Sequence, residues 1–139
     1  MSQFKTGRKM INVGKHIRNL KKSKGMNDGP TASFHKLSRV GEKAVGPLIK
    51  AISNTNTTRA AFSTDTGRYT LRVCDLALQI TVKYFEKFRE TSAPEFRFEP
   101  NADEKTRQAV ASKWMDWWKS NQKLIRWNRQ TYHFEYLPE

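Results

Sequence analysis

LRVCDLALQITVKYFEKF, residues 71–88, decides the fold. It is the longest apolar-rich run without Gly or Pro. Val73, Ala77, Ile80 and Tyr84 recur at spacings of four, three and four, and Cys74, Leu78 and Phe85 follow one step round. At 3.6 residues per turn these positions make one broad apolar stripe on a helix of about five turns. Lys83, Glu86, Lys87 and Arg89 begin a polar end. So wide a stripe needs partners on more than one side, and the flanking chain is expected to wrap it.

The segment before it supplies two of those partners. In GEKAVGPLIKAI, residues 41–52, Val45, Leu48, Ile49 and Ile52 fall at i, i+3, i+4 and i+7, an amphipathic helix. Pro47 has no N–H and is tolerated only near a first turn, so the spacing predicts a firm helix from about Gly46. Residues 31–40 predict a short helix with Phe34, Leu37 and Val40 inward, Thr31 or Ser33 as cap and Gly41 as stop. Between these and the central helix, SNTNTTRAAFSTDTGRY (53–69) shows no periodicity and reads as a long loop, with at most one helical turn at 59–62. Arg72 and Asp75, three apart at the entry to the central helix, can meet on one face.

Beyond the central helix, Pro94 and Pro100 punctuate the chain, and EFRFE (95–99) predicts a short extended piece carrying Phe96 and Phe98. Asn101 followed three residues later by Glu104 resembles a capping box opening a helix over 102–120. That helix places Val110, Trp114, Trp117 and Trp118 on one face. Base stacking or a ligand cage is one use of such aromatics, but i, i+3, i+4 is the spacing of a buried stripe, and core packing is the reading taken. The tail, LIRWNRQTYHFEYLPE (124–139), alternates after Gln130 and predicts an extended strap. Trp127, beside Arg126 and Arg129, is more open to a surface role, though packing is again favoured.

Charge is the strongest global signal. Lys and Arg number 26 against 13 Asp and Glu, a net +13. Residues 1–24 hold 8 basic residues and no acid; the remaining chain has a surplus of 5. Met10, Val13, Ile17 and Leu20 recur at three, four and three among those bases, a short basic amphipathic helix over about 9–24. Alone in water it is marginal and needs a surface to lie on. KGMNDGP (24–30) is rich in turn formers and reads as a linker. The expected division is a basic arm and linker over 1–30 and a helical domain over 31–139. Such an arm seeks a polyanion: nucleic acid, an anionic membrane surface or an acidic protein face. The residues assigned to this contact are Lys9, Lys15, Arg18, Lys21 and Lys22, with Arg59 and Arg68 from the body. An organelle transit segment shares the acid-free character, but Ser is scarce and no cleavage boundary is evident.

Several classes are set aside. No window approaches twenty uninterrupted apolar residues, so no transmembrane segment is expected. The single cysteine, Cys74, excludes an internal disulfide and a multi-cysteine zinc site; a reducing, intracellular and cytoplasmic setting fits. His16, His35 and His133 lack second ligands at metal-binding spacing. Neither a phosphate-cradling Gly-rich loop nor a nucleophile–base set declares itself. Catalytic residues, metal and cofactor are therefore all expected to be absent.

Three segments carry a family resemblance. Gly41-x-x-Ala44-Val45-x-Pro47-Leu48-Ile49-x-x-Ile52 resembles the second helix of a HEAT-like repeat. Leu71-Arg72-Val73-Cys74-Asp75-Leu76-Ala77-Leu78 is similar to the opening of the next repeat helix in small bacterial HEAT-like proteins. Lys113-Trp114-x-x-Trp117-Trp118, then Leu124-x-x-Trp127, resembles the helix and strap that close them. The likeness covers roughly 34–134 and leaves the arm unexplained. It implies an all-α fold: a compact bundle of two degenerate antiparallel helix pairs, a C-terminal aromatic strap and the basic arm. It also implies a scaffold, with Arg72 and Asp75 structural and buttressing the 53–69 loop. Charge and resemblance together suggest a non-enzymatic interaction module whose arm docks an acidic partner. The alternative is a nucleic-acid-binding protein, for instance a ribonucleoprotein component, gripping phosphates through the arm.

Overall fold

A computed structural model describes residues 12–20, 32–54, 57–64, 67–99 and 102–138, apart from the side chains of 57–71. Among the described residues five α-helices and two antiparallel hairpins are formed. The helices are α1 (Val13–Asn19), α2 (Ala32–Leu37), α3 (Glu42–Ala51), α4 (Val73–Tyr84) and α5 (Glu104–Asn121). One hairpin pairs β1 (Thr57–Thr64) with β2 (Gly67–Arg72); the other pairs β3 (Ile125–Asn128) with β4 (His133–Tyr136). The chain is mostly helical but not all-α, which corrects the expected class.

α4 lies at the centre. Nine of its twelve residues are buried, including the whole expected stripe from Val73 to Tyr84. It ends earlier than residue 88: Phe85 leaves helical geometry at φ −113°, ψ 18°. The Thr91 hydroxyl lies 3.0 Å from the carbonyls of both Phe85 and Phe88 and can donate to either. That stabilises the turn and lets Phe85 and Phe88 stay buried after the helix has stopped.

α3 starts at Glu42, four residues before the expected start, and Pro47 sits inside it. The bond lost to the missing N–H would have gone to the carbonyl of Lys43, an exposed residue that water reaches. The early start is set by Gly41, at φ 90° and ψ −136°, a conformation that L residues rarely adopt. The indole of Trp127 packs on it so closely that an added Cβ would stand 2.8 Å from the ring. Gly41 N–H donates to the Tyr84 hydroxyl at 3.1 Å, and that hydroxyl donates to the Leu37 carbonyl. One buried tyrosine thus ties the α2–α3 turn to α4, and burial pushes its pKa up to about 12. Gly41→Ala is expected to cost about 2–5 kcal/mol, from backbone strain plus overpacking. Gly46→Ala, on the same helix, meets nothing within 4 Å beyond its helix backbone and chain neighbours. The Gly-to-Ala gain of about 0.5–1 kcal/mol is offset by the clash of a Cβ with the following Pro47, so the change should be within about 1 kcal/mol of neutral. Urea unfolding of the pair checks both.

The aromatic residues close the core from the C-terminal side. Phe85 stacks on Phe134 with centroids 4.9 Å apart and planes at 12°, and meets Trp117 at 5.1 Å, Trp114 at 5.5 Å and Trp118 at 5.9 Å. The strap is extended from His133 to Tyr136, two residues later than its alternation predicts, because Thr131 and Tyr132 belong to a turn. It is one half of a hairpin, with Trp127 opposite Phe134. Asn128 builds the turn by accepting from the N–H groups of Gln130 and Thr131.

Three boundaries differ from expectation. α5 is capped by Asp103, which accepts from Thr106 N–H at 2.8 Å; Asn101, the expected cap, lies outside the described residues. Residues 94–96 form a 3-10 turn where an extended piece was expected, and Phe96 is buried by it. The stretch 53–69 is largely a hairpin, with Phe62 opposite Tyr69 and Ala61 opposite Thr70. The register shifts between Thr57 and Ala61. Thr, Phe, Tyr and Leu give these strands the branched and aromatic content that pleated backbone favours.

The described part of the basic arm is α1. Asn12 caps it by accepting from Lys15 N–H at 3.0 Å. The helix packs against α2 and α3, with Val13 and Ile17 partly buried and Leu20 fully buried. This is the surface that so short an amphipathic helix requires. No helix among the described residues is long and apolar enough to cross a membrane.

Candidate polyanion-binding face

The charge segregates more sharply than an N-terminal arm alone would give. Residues 1–72 hold 15 basic and 3 acidic side chains; residues 73–139 hold 11 and 10. Among described residues the basic half exposes Lys15, Arg18, Lys36, Arg39, Lys43 and Lys50 against one acid, Glu42. None of these six cations has a carboxylate partner among the described residues. Single-sign charge on this scale repels itself unless a polyanion meets it. His16 reports the same field: its pKa is lowered, first by burial, then by Lys36 and Lys15.

Within this half, α1 and α3 leave an open groove of about 720 Å³. Gly14, Ile17 and Arg18 come from α1, and Gly46, Pro47, Lys50 and Ala51 from α3. Ser53 and Asn54 line the end that leads into β1. Arg18 and Lys50 each belong to the last turn of their helix, where a cation also complements the helix dipole. That role leaves the charged ends exposed.

Of the residues assigned to polyanion contact, Lys15 and Arg18 are exposed on α1. Lys9, Lys21 and Lys22 lie outside the described residues. Arg59 falls on β1 and Arg68 on β2, opposite Ser63; their side chains are not among those described.

Behind the groove a buried polar knot fixes the root of the β1–β2 hairpin. Asp75, 5% exposed, accepts from Arg72 N–H at 2.7 Å and contacts the Arg72 guanidinium at 3.4 Å through both oxygens. Arg72 also donates to the Ala102 carbonyl at 3.0 Å. Arg107, 4% exposed, donates to the Ser53 carbonyl at 3.0 Å and to Ala102 at 3.4 Å. Cys74 N–H donates to Asn54 at 2.9 Å. Two guanidinium groups therefore hold the ends of α3, β2, α4 and α5 in one place. Arg107 was missed from sequence. Its signal was its spacing, three before Val110 on the buried stripe of α5, where an arginine needs a partner. The Cys74 thiol is pushed up to about 11, first by burial and then by Asp75, so it stays neutral at ordinary pH.

Trp114, Trp117 and Trp118 are 0%, 9% and 8% exposed, and none offers a face for stacking. Trp127 is half-buried against Gly41, Tyr84 and Phe134. His16 Nδ1 lies 2.9 Å from the Ser33 hydroxyl, and His133 lies against Glu86. Among the described residues no group of three His, Cys, Asp or Glu could hold a metal ion. No family model, curated protein or solved structure matches the chain.

Proposed function

We propose that this is a non-enzymatic binding module whose basic half, residues 1–72, docks on nucleic acid. The observation that carries the reading is the segregation of charge, with 15 basic against 3 acidic residues on one half and near balance on the other. Phosphate backbones reward such a surface by releasing condensed counterions.

An acidic protein partner is the second reading, supported by the HEAT-like resemblance to scaffolds. Protein interfaces, however, draw their affinity from desolvated aromatic and apolar anchors, and lysine is depleted in them. The exposed large apolar residues among those described are Leu124, Tyr132, Tyr136 and Leu137, all in the C-terminal part. The described residues of the basic half offer cations without such anchors, which favours phosphate.

Fluorescence anisotropy with labelled RNA, labelled DNA and polyglutamate tests the choice. With three to six phosphate contacts, affinity for nucleic acid should fall roughly 40- to 2000-fold between 50 and 200 mM salt. Tighter binding to polyglutamate, or no salt-sensitive binding to either nucleic acid, overturns the reading.

A further inference from the structure

We infer that the groove between α1 and α3 seats the sugar–phosphate backbone of a nucleic-acid duplex, without reading its sequence. This rests on the nucleic-acid reading above and adds the site and the form of the ligand.

The described lining of the groove is largely apolar, with Ile17, Pro47 and Ala51 beside two glycines, and carries one cation from each helix. Gly46 presents backbone alone, so a ligand can approach α3 closely there. At Gly46 an added Cβ would meet no atom within 4 Å beyond its chain neighbours and its own helix backbone. Arg18 stands on one wall and Lys50 on the other, and among the described residues no carboxylate lines the space. The Arg18 guanidinium lies over Gly14, with Nη1 3.4 Å from where a Cβ would be. The volume, about 720 Å³, is open along one side, which suits a chain entering sideways. Asn54 ends the groove three residues before β1 begins, so the hairpin bearing Arg59 and Arg68 leaves from the same place.

The chemistry of the lining selects the ligand. Single strands are gripped by stacking bases on aromatic side chains. Among the described residues no aromatic lines this groove, and the exposed tyrosines described, Tyr132 and Tyr136, belong to the C-terminal hairpin. Two cations and a bare backbone contact phosphates, which position a duplex but carry no sequence information.

Gly46 gives the test, because beyond its own helix backbone and chain neighbours an added Cβ meets nothing within 4 Å, and the cost of a side chain before Pro47 falls on Glu and Lys alike. Gly46→Glu, Gly46→Lys and the double variant Arg18→Gln/Lys50→Gln are compared with the full chain by anisotropy. The probes are duplex DNA, duplex RNA and a single strand of the same sequence; melting temperatures confirm that the fold is kept. Gly46→Glu should weaken duplex binding tenfold or more, whereas Gly46→Lys should hold or strengthen it. The double variant should flatten the slope of log K against log salt by about 1.8. If the full chain binds duplex and all three variants match it, the groove is refuted while the nucleic-acid reading stands. Stronger binding to the single strand than to either duplex overturns the duplex assignment. No binding to any probe overturns both.

Discussion

Asp75→Ala should lower the unfolding free energy by about 3–5 kcal/mol, the usual cost of removing one member of a buried ion pair. Three things are lost at once. The N–H of Arg72 loses its 2.7 Å acceptor at the start of α4, and both guanidinium contacts at 3.4 Å disappear. The Arg72 charge is then left 16% exposed with only the Ala102 carbonyl to meet it. Asp75→Asn keeps one acceptor but not the charge, and should fall between wild type and Ala. Urea unfolding reads the loss as a lower midpoint at unchanged slope. A loss below about 1 kcal/mol would mean that the pair behaves as a surface salt bridge does. Because the knot also fixes the root of the β1–β2 hairpin through Arg107 and Ser53, amide exchange in β2 should quicken with the same substitution.

Trp114→Ala is expected to cost about as much, 3–5 kcal/mol, for a different reason. Its ring is 0% exposed and packs on Phe96 at 4.9 Å and Phe85 at 5.5 Å. Truncation leaves a cavity among large rings that cannot collapse to fill it. It also orphans the Phe96 carbonyl, which now accepts from the indole N–H at 2.8 Å. Trp114→Phe retains most of the volume and loses the hydrogen bond, so about 1–2 kcal/mol is expected. Thermal and urea melts separate the two variants. Equal losses for Phe and Ala would show that the N–H, not the packing, dominates.

The helical core was legible because its periodicity is strong. The 73–84 stripe, the 45–52 stripe and the tryptophan face of α5 are each set by apolar residues falling on one side of a turn. Asn121 was legible as the end of α5, and its side chain donates to the Trp117 carbonyl at 2.8 Å. The β1–β2 hairpin was not. Its Ser, Thr and Asn content reads as loop, and a two-stranded ribbon with a register shift never shows a clean alternation. The early start of α3 depends on a contact eighty-six residues away, Trp127 against Gly41, and no local window holds it. The candidate site was legible in part. Lys15 and Arg18 were assigned from the arm, whereas Lys50 became a partner of Arg18 only once α1 packed on α3. Net charge was visible from the first count. Its near-complete restriction to residues 1–72 acquires meaning only when α1 and α3, both from that half, are seen to form the two walls of the groove.

The central claim is that the basic half of the chain, residues 1–72, meets nucleic acid while both halves share one core. Amide chemical-shift mapping of the full chain, titrated with a short duplex at low salt, tests it most directly. Perturbations should cluster in α1, the second half of α3 and the β1–β2 hairpin, and fade as salt is raised. Shifts concentrated instead around Leu124, Tyr136 and Leu137, with α1 and α3 silent, would contradict it.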